Sequence, residues 1–277
     1  MPDVITGHLK KMQTTLGDDG VVDYRLPLDD SLVNMNSLLG QPIRLSYAGE
    51  IHCIHCGRKT SKSFNQGFCF PCFKKLAQCD SCIVSPERCH YFEGTCREPD
   101  WADQHCMQEH FVYLANSSGV KVGITRGNQL PTRWMDQGAV QALPIFRVGN
   151  RLQSGLLEVV FKNHVADKTN WRAMLKGQVD EVDLAAERDR LLSECADEVA
   201  ALQDKYGLQS IQTIADAAVT TINYPVLEYP SKVTSLNFDK QAQVEGVLKG
   251  IKGQYLMLDT GVINIRKFSA YRVEFSA

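Results

Sequence analysis

The sequence predicts an α+β protein with three parts: a zinc-ribbon-like cysteine module, a small ββαβα layer, and a β unit formed by hairpins at the two ends of the chain. Three observations carry this. Nine of the ten cysteines fall between Cys53 and Cys106. Apolar residues alternate between strand and helix spacing across residues 111–166. The first and last stretches also carry matching hairpin signals. The expected organisation is a hairpin segment at 1–52, the cysteine module at 53–110, the layered core at 111–176, an acidic helical segment at 177–222 and a β unit at 223–277.

The composition sets the bounds. A chain of 277 residues with 44% hydrophobic and 22% charged residues suits a folded protein of about two domains. A net charge of -2 excludes a polybasic binder and leaves room for a local basic patch. No stretch approaches the roughly 18 apolar residues a membrane span needs. The first residues lack a charged region followed by an apolar core, so the expected location is cytoplasmic, with no membrane partner.

The hairpins at the two ends match. Gly7-His-Leu9-Lys10 and Asp18-Asp-Gly20-Val21-Val-Asp-Tyr-Arg25 recur as Gly246-Val-Leu248-Lys249 and Asp259-Thr-Gly261-Val262-Ile-Asn-Ile-Arg266. Each copy reads as strand, Asp-x-Gly turn and strand, with Asp and Gly at turn positions that favour positive φ. A lone hairpin is marginal in water, so the two ends are expected to meet in one small β unit.

In the cysteine module, Cys53-Ile-His-Cys56 and Cys69-Phe-Pro-Cys72 are two CxxC pairs twelve residues apart. Each knuckle aims two thiolates at one point, and two knuckles make the tetrahedral sulfur shell that zinc prefers. Gly57 and Gly67 sit where such knuckles need permissive backbone. A third pair, Cys79-Asp-Ser-Cys82, is followed by Cys89, Cys96, Cys106 and His110. Helical spacing would place Cys106 and His110 on one face. These six are candidates for a second zinc, whose ligand set the spacing does not choose. His52, His55, His90 and His105 are read as solvated or core histidines. Few long apolar runs occur in this stretch, so metal binding is expected to supply its folding free energy, of order 10 kcal/mol per site.

The core follows. Phe111–Ala115 and Val120–Thr125 read as strands about an Asn116-Ser-Ser-Gly119 turn. Leu130–Val140 reads as a helix with Pro131 near its first turn. Ala142–Val148 is a third strand and Arg151–Val165 a longer helix. Residues 178–204 carry nine acids and two arginines. Leu184, Leu191, Leu192, Cys195, Val199 and Leu202 make the apolar side of an amphipathic helix there, with an acidic outer face suited to a protein partner. Asn223–Asp239 reads as a linker into the β unit.

The ββαβα order resembles the GIY-YIG nuclease core, on these residues. Val112-Tyr113-Leu114 stands for the first motif, with its tyrosine kept and its glycine absent. Lys121-Val122-Gly123 stands for the second, with its glycine kept and lysine for tyrosine. Arg133 matches the arginine of the first helix and Glu158 the metal-binding glutamate. Gln137 stands where the family often has histidine. The resemblance implies a divalent-metal-dependent endonuclease that cleaves phosphodiester bonds. Glu158 would hold Mg²⁺ or Mn²⁺, Arg133 would stabilise phosphate charge and Tyr113 would assist proton removal. Lys121 would add positive charge. The cysteine module ahead of this core, with Lys249-Gly-Ile-Lys-Gly-Gln-Tyr-Leu256 near the end, also resembles an uncharacterised bacterial zinc-cysteine protein family.

Charge points the same way. Met107–Arg172 holds eight Lys/Arg against four Asp/Glu, a local excess that suits a phosphate-bearing partner, DNA or RNA. Arg126, Arg133, Trp134, Lys162, Trp171 and Arg172 are the candidate nucleic-acid contacts. The aromatic members would stack on bases, and Lys168–Arg172 forms a basic, aromatic tract. The alternative function is a catalytically silent zinc scaffold for protein–protein interaction.

Overall fold

In the computed structural model, which describes residues 4–165 and 170–277, the two ends of the chain pair directly. The first part runs through β1 (Ile5–His8), β2 (Gln13–Leu16), β3 (Val22–Leu28), β4 (Ser31–Asn34) and the long β5 (Pro42–His52). The cysteine stretch holds β6 (Lys59–Thr60), α1 (Phe70–Lys75) and α2 (Pro99–His105). The middle holds β7 (His110–Asn116), β8 (Val120–Arg126), α3 (Thr132–Asp136), β9 (Gln141–Val148) and α4 (Arg151–Phe161). Then come α5 (Trp171–Leu175), α6 (Leu184–Glu194), α7 (Ala196–Tyr206), β10 (Ile211–Thr213) and β11 (Thr220–Thr221). The chain closes with β12 (Gln243–Lys252), β13 (Tyr255–Leu258), β14 (Gly261–Asn264) and β15 (Tyr271–Ser276).

These elements build a mixed α+β structure with several sheets. One sheet runs β1-β15-β5-β12-β13-β14, with β6 hooked onto β5. Within it, Ile5 pairs with Phe275 and Val244 with Leu45, so chain ends and middle strands share one antiparallel ladder. A three-stranded sheet, β2-β3-β4, carries the first hairpin. The middle sheet runs β10-β9-β7-β8, with β11 also on β9.

β7 lies at the centre of the middle sheet and is apolar at nearly every position, because both its faces are covered. Tyr113 and Ala115 point into the core shared with the terminal sheets. Val112 and Leu114 point into a second core built with Leu157, Phe161, Leu184, Leu191, Cys195 and Val199. The period-2 alternation thus divides one strand between two cores.

The expected boundaries shift in places. The helix read at 130–140 is only Thr132–Asp136, because Gly138 takes left-handed backbone (φ 69°) and ends it. The helix read at 151–165 stops at Phe161. The single helix read across 178–204 is two, α6 and α7, broken at Cys195 (φ -105°, ψ 17°). Leu191 before the break and Val199 after it enter the same core. β10 and β11 extend the middle sheet, which their short, weakly alternating sequence does not announce. The stretch read as a linker is packed: Tyr224 donates to the Ala139 carbonyl at 2.7 Å, and Phe238 is buried against Phe268 and Tyr271. No helix among the described residues is long and apolar enough to cross a membrane.

Candidate functional site

The first two CxxC pairs converge. β5 ends at His52, and the chain turns at once through the first knuckle, where the Gly57 N–H returns to the Cys53 carbonyl at 2.9 Å. Cys69 precedes α1, whose early Pro71 suits a helix start, and Cys72 follows one turn in. The sulfurs of Cys53, Cys56, Cys69 and Cys72 all lie within 4.8 Å of one another. Those of Cys56 and Cys69 are 3.8 Å apart. Four sulfurs at about 2.3 Å from a central ion would stand about 3.8 Å apart, so the donor set fits tetrahedral zinc. Burial opposes ionisation of Cys53, yet backbone N–H groups of Cys69, Cys56 and His55 bring its pKa down to about 6. Donors aimed at sulfur are what a thiolate ligand needs.

The remaining cysteines divide. Cys79 packs beside the first cluster with Phe68 and Leu76, away from Cys82. Cys82, Cys89, Cys96 and Cys106 line a second, small enclosed cavity with Asp80 and His90. Burial pushes the Cys82 thiol up to about 11, with Asp80, Cys89 and Cys106 adding to the rise. Asp80, Cys82 and His90 bring ligand-type atoms within 4.8 Å of one another, which adds the half-buried His90 to the candidate ligands of this cavity. The Asp80 carboxylate is already engaged by Arg97 at 2.8 Å.

His110 does not join them. α2 ends at His105 and His110 opens a strand, so the helical spacing with Cys106 is not realised. Its Nδ1 bonds the Gln108 carbonyl at 2.7 Å and its Nε2 is buried without a partner among the described residues. Burial lowers its pKa to about 4.

Three parts of the structure meet around a cleft of about 520 Å³. The core contributes Arg126, Arg133, Arg151 and Glu158, the terminal sheets contribute Lys11 and Arg266, and the cysteine module contributes Gln66 and Pro86. Arg151 and Glu158 are seven residues apart on α4, two turns, and so share a face. α4 can lie against the cysteine module because Gly155 has no side chain; a Cβ there would stand 2.5 Å from the Glu87 nitrogen. Arg151 donates to the Ile83 carbonyl at 2.6 Å. Asp136, also on the wall, is ion-paired with Lys11 and accepts from Gln254 Nε2 at 2.9 Å. Burial raises the pKa of Glu158, against the pull of Lys162, Arg133 and Arg151.

The other sequence candidates sit behind this wall or away from it. Tyr113 is fully buried and does not line the cleft. Gln137 links it to the site: its amide nitrogen donates to the Tyr113 hydroxyl at 3.0 Å while its oxygen accepts from Arg133 Nε and Nη2 at 3.2 and 3.1 Å. This amide orientation satisfies both neighbours. Lys121 is buried, and burial, with the Arg133 charge, lowers its pKa to about 8. Trp134 is buried edge-on to Tyr113 and presents no face for a base. Trp171 stacks flat on Tyr255 at 5.7 Å, and the Arg172 guanidinium lies 4.3 Å from the Trp171 ring centroid, so this pair belongs to the C-terminal unit. Lys162 caps α4 and does not line the cleft. Lys168 and Thr169 of the basic tract lie outside the described residues.

Sequence reasoning missed Lys11, Asp136, Arg151 and Arg266. Arg151 and Asp136 lie within the basic middle segment but carry no motif. Lys11 and Arg266 arrive from opposite ends of the chain; the matching hairpins hinted that those ends meet each other, not that they reach the core.

No curated protein and no solved structure matches the chain. A family model does match, over residues 40–273, which takes in β5, both cysteine clusters, the middle sheet and nearly all of the C-terminal strands. The chain belongs to that family, described as protein of unknown function, DUF2797.

Proposed function

We propose that this is a zinc-containing nucleic-acid-binding protein whose arginine-lined cleft takes a phosphodiester backbone. The observation that carries the reading is the convergence of Arg126, Arg133, Arg151 and Arg266 on one cleft in a chain of net charge -2. Of the two carboxylates there, Asp136 is neutralised by Lys11. Arginine forks suit phosphate oxygens, and a cation-lined concavity concentrates polyanions. Zinc at Cys53, Cys56, Cys69 and Cys72 would hold the module that forms one wall.

Fluorescence anisotropy with labelled single-stranded DNA, duplex DNA and RNA tests this. Binding is expected to weaken steeply with salt. Arg133→Ala and Arg151→Ala are each expected to weaken it about tenfold at fixed salt, in line with the loss of one charge-assisted contact. Absence of binding to all three at low salt would reject the reading.

Catalysis is the second reading, favoured by Glu158 standing in the same cleft as Arg133. The ββαβα order and the tyrosine–glycine pairing of β7 with β8 support the GIY-YIG resemblance. Glu158 would hold Mg²⁺ or Mn²⁺, which supplies Lewis-acid chemistry when bound. Arg133 would hold the phosphate, and Tyr113 would position Arg133 through Gln137. Cleavage that requires Mg²⁺ or Mn²⁺ and is lost in Glu158→Gln would establish it. Intact substrate with retained binding would leave the protein a binder.

A further inference from the structure

Lys252 ends β12 within the Lys249–Leu256 stretch, and the residue is only 1% exposed. Its ammonium lies over two tyrosine rings, 5.2 Å from the Tyr224 centroid and 5.6 Å from that of Tyr229. Burial alone brings its pKa down to about 8, with no charge of either sign contributing. Among the described residues no carboxylate is ion-paired with it and no acceptor takes a hydrogen bond from it. Two aromatic faces offset part of the loss of water, and its N–H donors face the cavity rather than a protein acceptor. A buried ammonium in that state calls for an anion.

The side chain lines a cavity of about 320 Å³, bordered by Val140, Gln141, Asn223, Tyr224 and Tyr229. This cavity shares no lining residue with the arginine cleft. Its volume falls in the range of small-molecule sites. The other charged side chain on its wall is the exposed Glu181. A wall with one cation and one carboxylate suits a singly charged anion and disfavours a doubly charged phosphate.

We propose that the Lys252 cavity binds the carboxylate group of a small organic acid, with the ammonium as its anchor and the tyrosine-lined wall against its apolar part. This reading stands apart from the arginine cleft.

Thermal unfolding with sodium benzoate, against sodium chloride at equal ionic strength, tests it. Benzoate is expected to raise the wild-type Tm. The shift should vanish in Lys252→Met, which keeps the apolar stem, and grow in Glu181→Gln. It should persist in Arg133→Ala, which separates this cavity from the cleft. Amine-reactive labelling of the wild-type protein, read by peptide mass spectrometry, needs no variant. Benzoate is expected to slow labelling of Lys252 severalfold and leave Lys240 and Lys267 unchanged. No benzoate shift, or one that survives Lys252→Met together with unprotected labelling, would overturn the proposal. A shift given by inorganic phosphate alone and lost in Lys252→Met would overturn the carboxylate assignment.

Discussion

Gln66, at a turn of the cysteine module, accepts a 2.6 Å hydrogen bond from Nε of Arg266, 200 residues away in sequence. Asn65 and Gln66 both take left-handed backbone (φ 43° and 63°), the pair of angles a type I′ turn uses. That turn directs Gln66 at the cleft, where burial lowers the pKa of the Arg266 guanidinium. The first cysteine cluster and the charge in the cleft are therefore mechanically joined. Removing zinc with a chelator is expected to lower Tm and weaken nucleic-acid binding together. Gln66→Ala is expected to keep its zinc, by elemental analysis, and lose part of the binding. Cys56→Ser is expected to lose about one zinc equivalent, since three thiolates no longer close a structural shell. Full zinc content in Cys56→Ser would dismantle the assignment.

The Tyr113 ring lies over its cross-strand partner Gly123, where a Cβ would stand 2.7 Å from the phenol oxygen. Both are buried where central β7 pairs with the end strand β8, in a packed antiparallel ladder with no room to give. Gly123→Ala is expected to cost roughly 1–3 kcal/mol of stability through overpacking. Urea unfolding would measure it. Because Tyr113 contacts Gln137, and Gln137 contacts Arg133, the same variant is expected to weaken nucleic-acid binding more than its stability loss alone explains.

Sequence legibility followed the range of the interaction. The Cys53–Cys72 cluster was readable because metal geometry demands close spacing within each knuckle, and spacing is local. The alternation of β7 and β8 was readable for the same reason. The pairing of Cys106 with His110 was misjudged because helical spacing says nothing unless the helix exists; α2 ends at His105, while Cys106 stays with Cys82, Cys89 and Cys96. Trp134 was misjudged because a tryptophan beside an arginine reads alike whether it faces solvent or a core. Lys11, Arg266 and Asp136 share the cleft only through long-range sheet closure, which no window of sequence contains. The break at Cys195 depends on two helices folding onto one core, again a tertiary event.

His110 gives a pH prediction with a definite sign. Its folded pKa, lowered by burial to about 4, lies below the ordinary 6.5. Between those values the unfolded chain takes up a proton that the native state refuses. This group's contribution is complete above pH 6.5 and is lost as pH falls towards 4. At 1.36 kcal/mol per pH unit, the gap between about 4 and 6.5 caps the effect at roughly 3–4 kcal/mol. The wild type is expected to lose more stability between pH 7 and pH 5 than His110→Gln does. NMR titration should show the imidazole neutral at pH 5; a protonated ring there would refute the account.

Gln254 explains why the second half of the Lys249–Leu256 stretch reads as it does. It sits in the turn between β12 and β13, yet it is only 2% exposed, because this turn inserts between the terminal sheets and α3. Its oxygen accepts from the Met12 N–H at 2.7 Å, and its nitrogen donates to the Met12 carbonyl at 3.1 Å and to Asp136 at 2.9 Å. One side chain thereby ties the N-terminal segment, the C-terminal hairpin and the cleft wall. Gln254→Ala strands a buried backbone N–H and carbonyl as well as removing three bonds, and is expected to cost about 2–4 kcal/mol. Glutamate at this position keeps the bond from the Met12 N–H but sets a carboxylate against Asp136 and the Met12 carbonyl. Gln254→Glu is therefore expected to destabilise more than Gln254→Ala, and a chemical denaturation series on both variants checks the order. The reverse order would mean that Asp136 and Gln254 do not face each other as described.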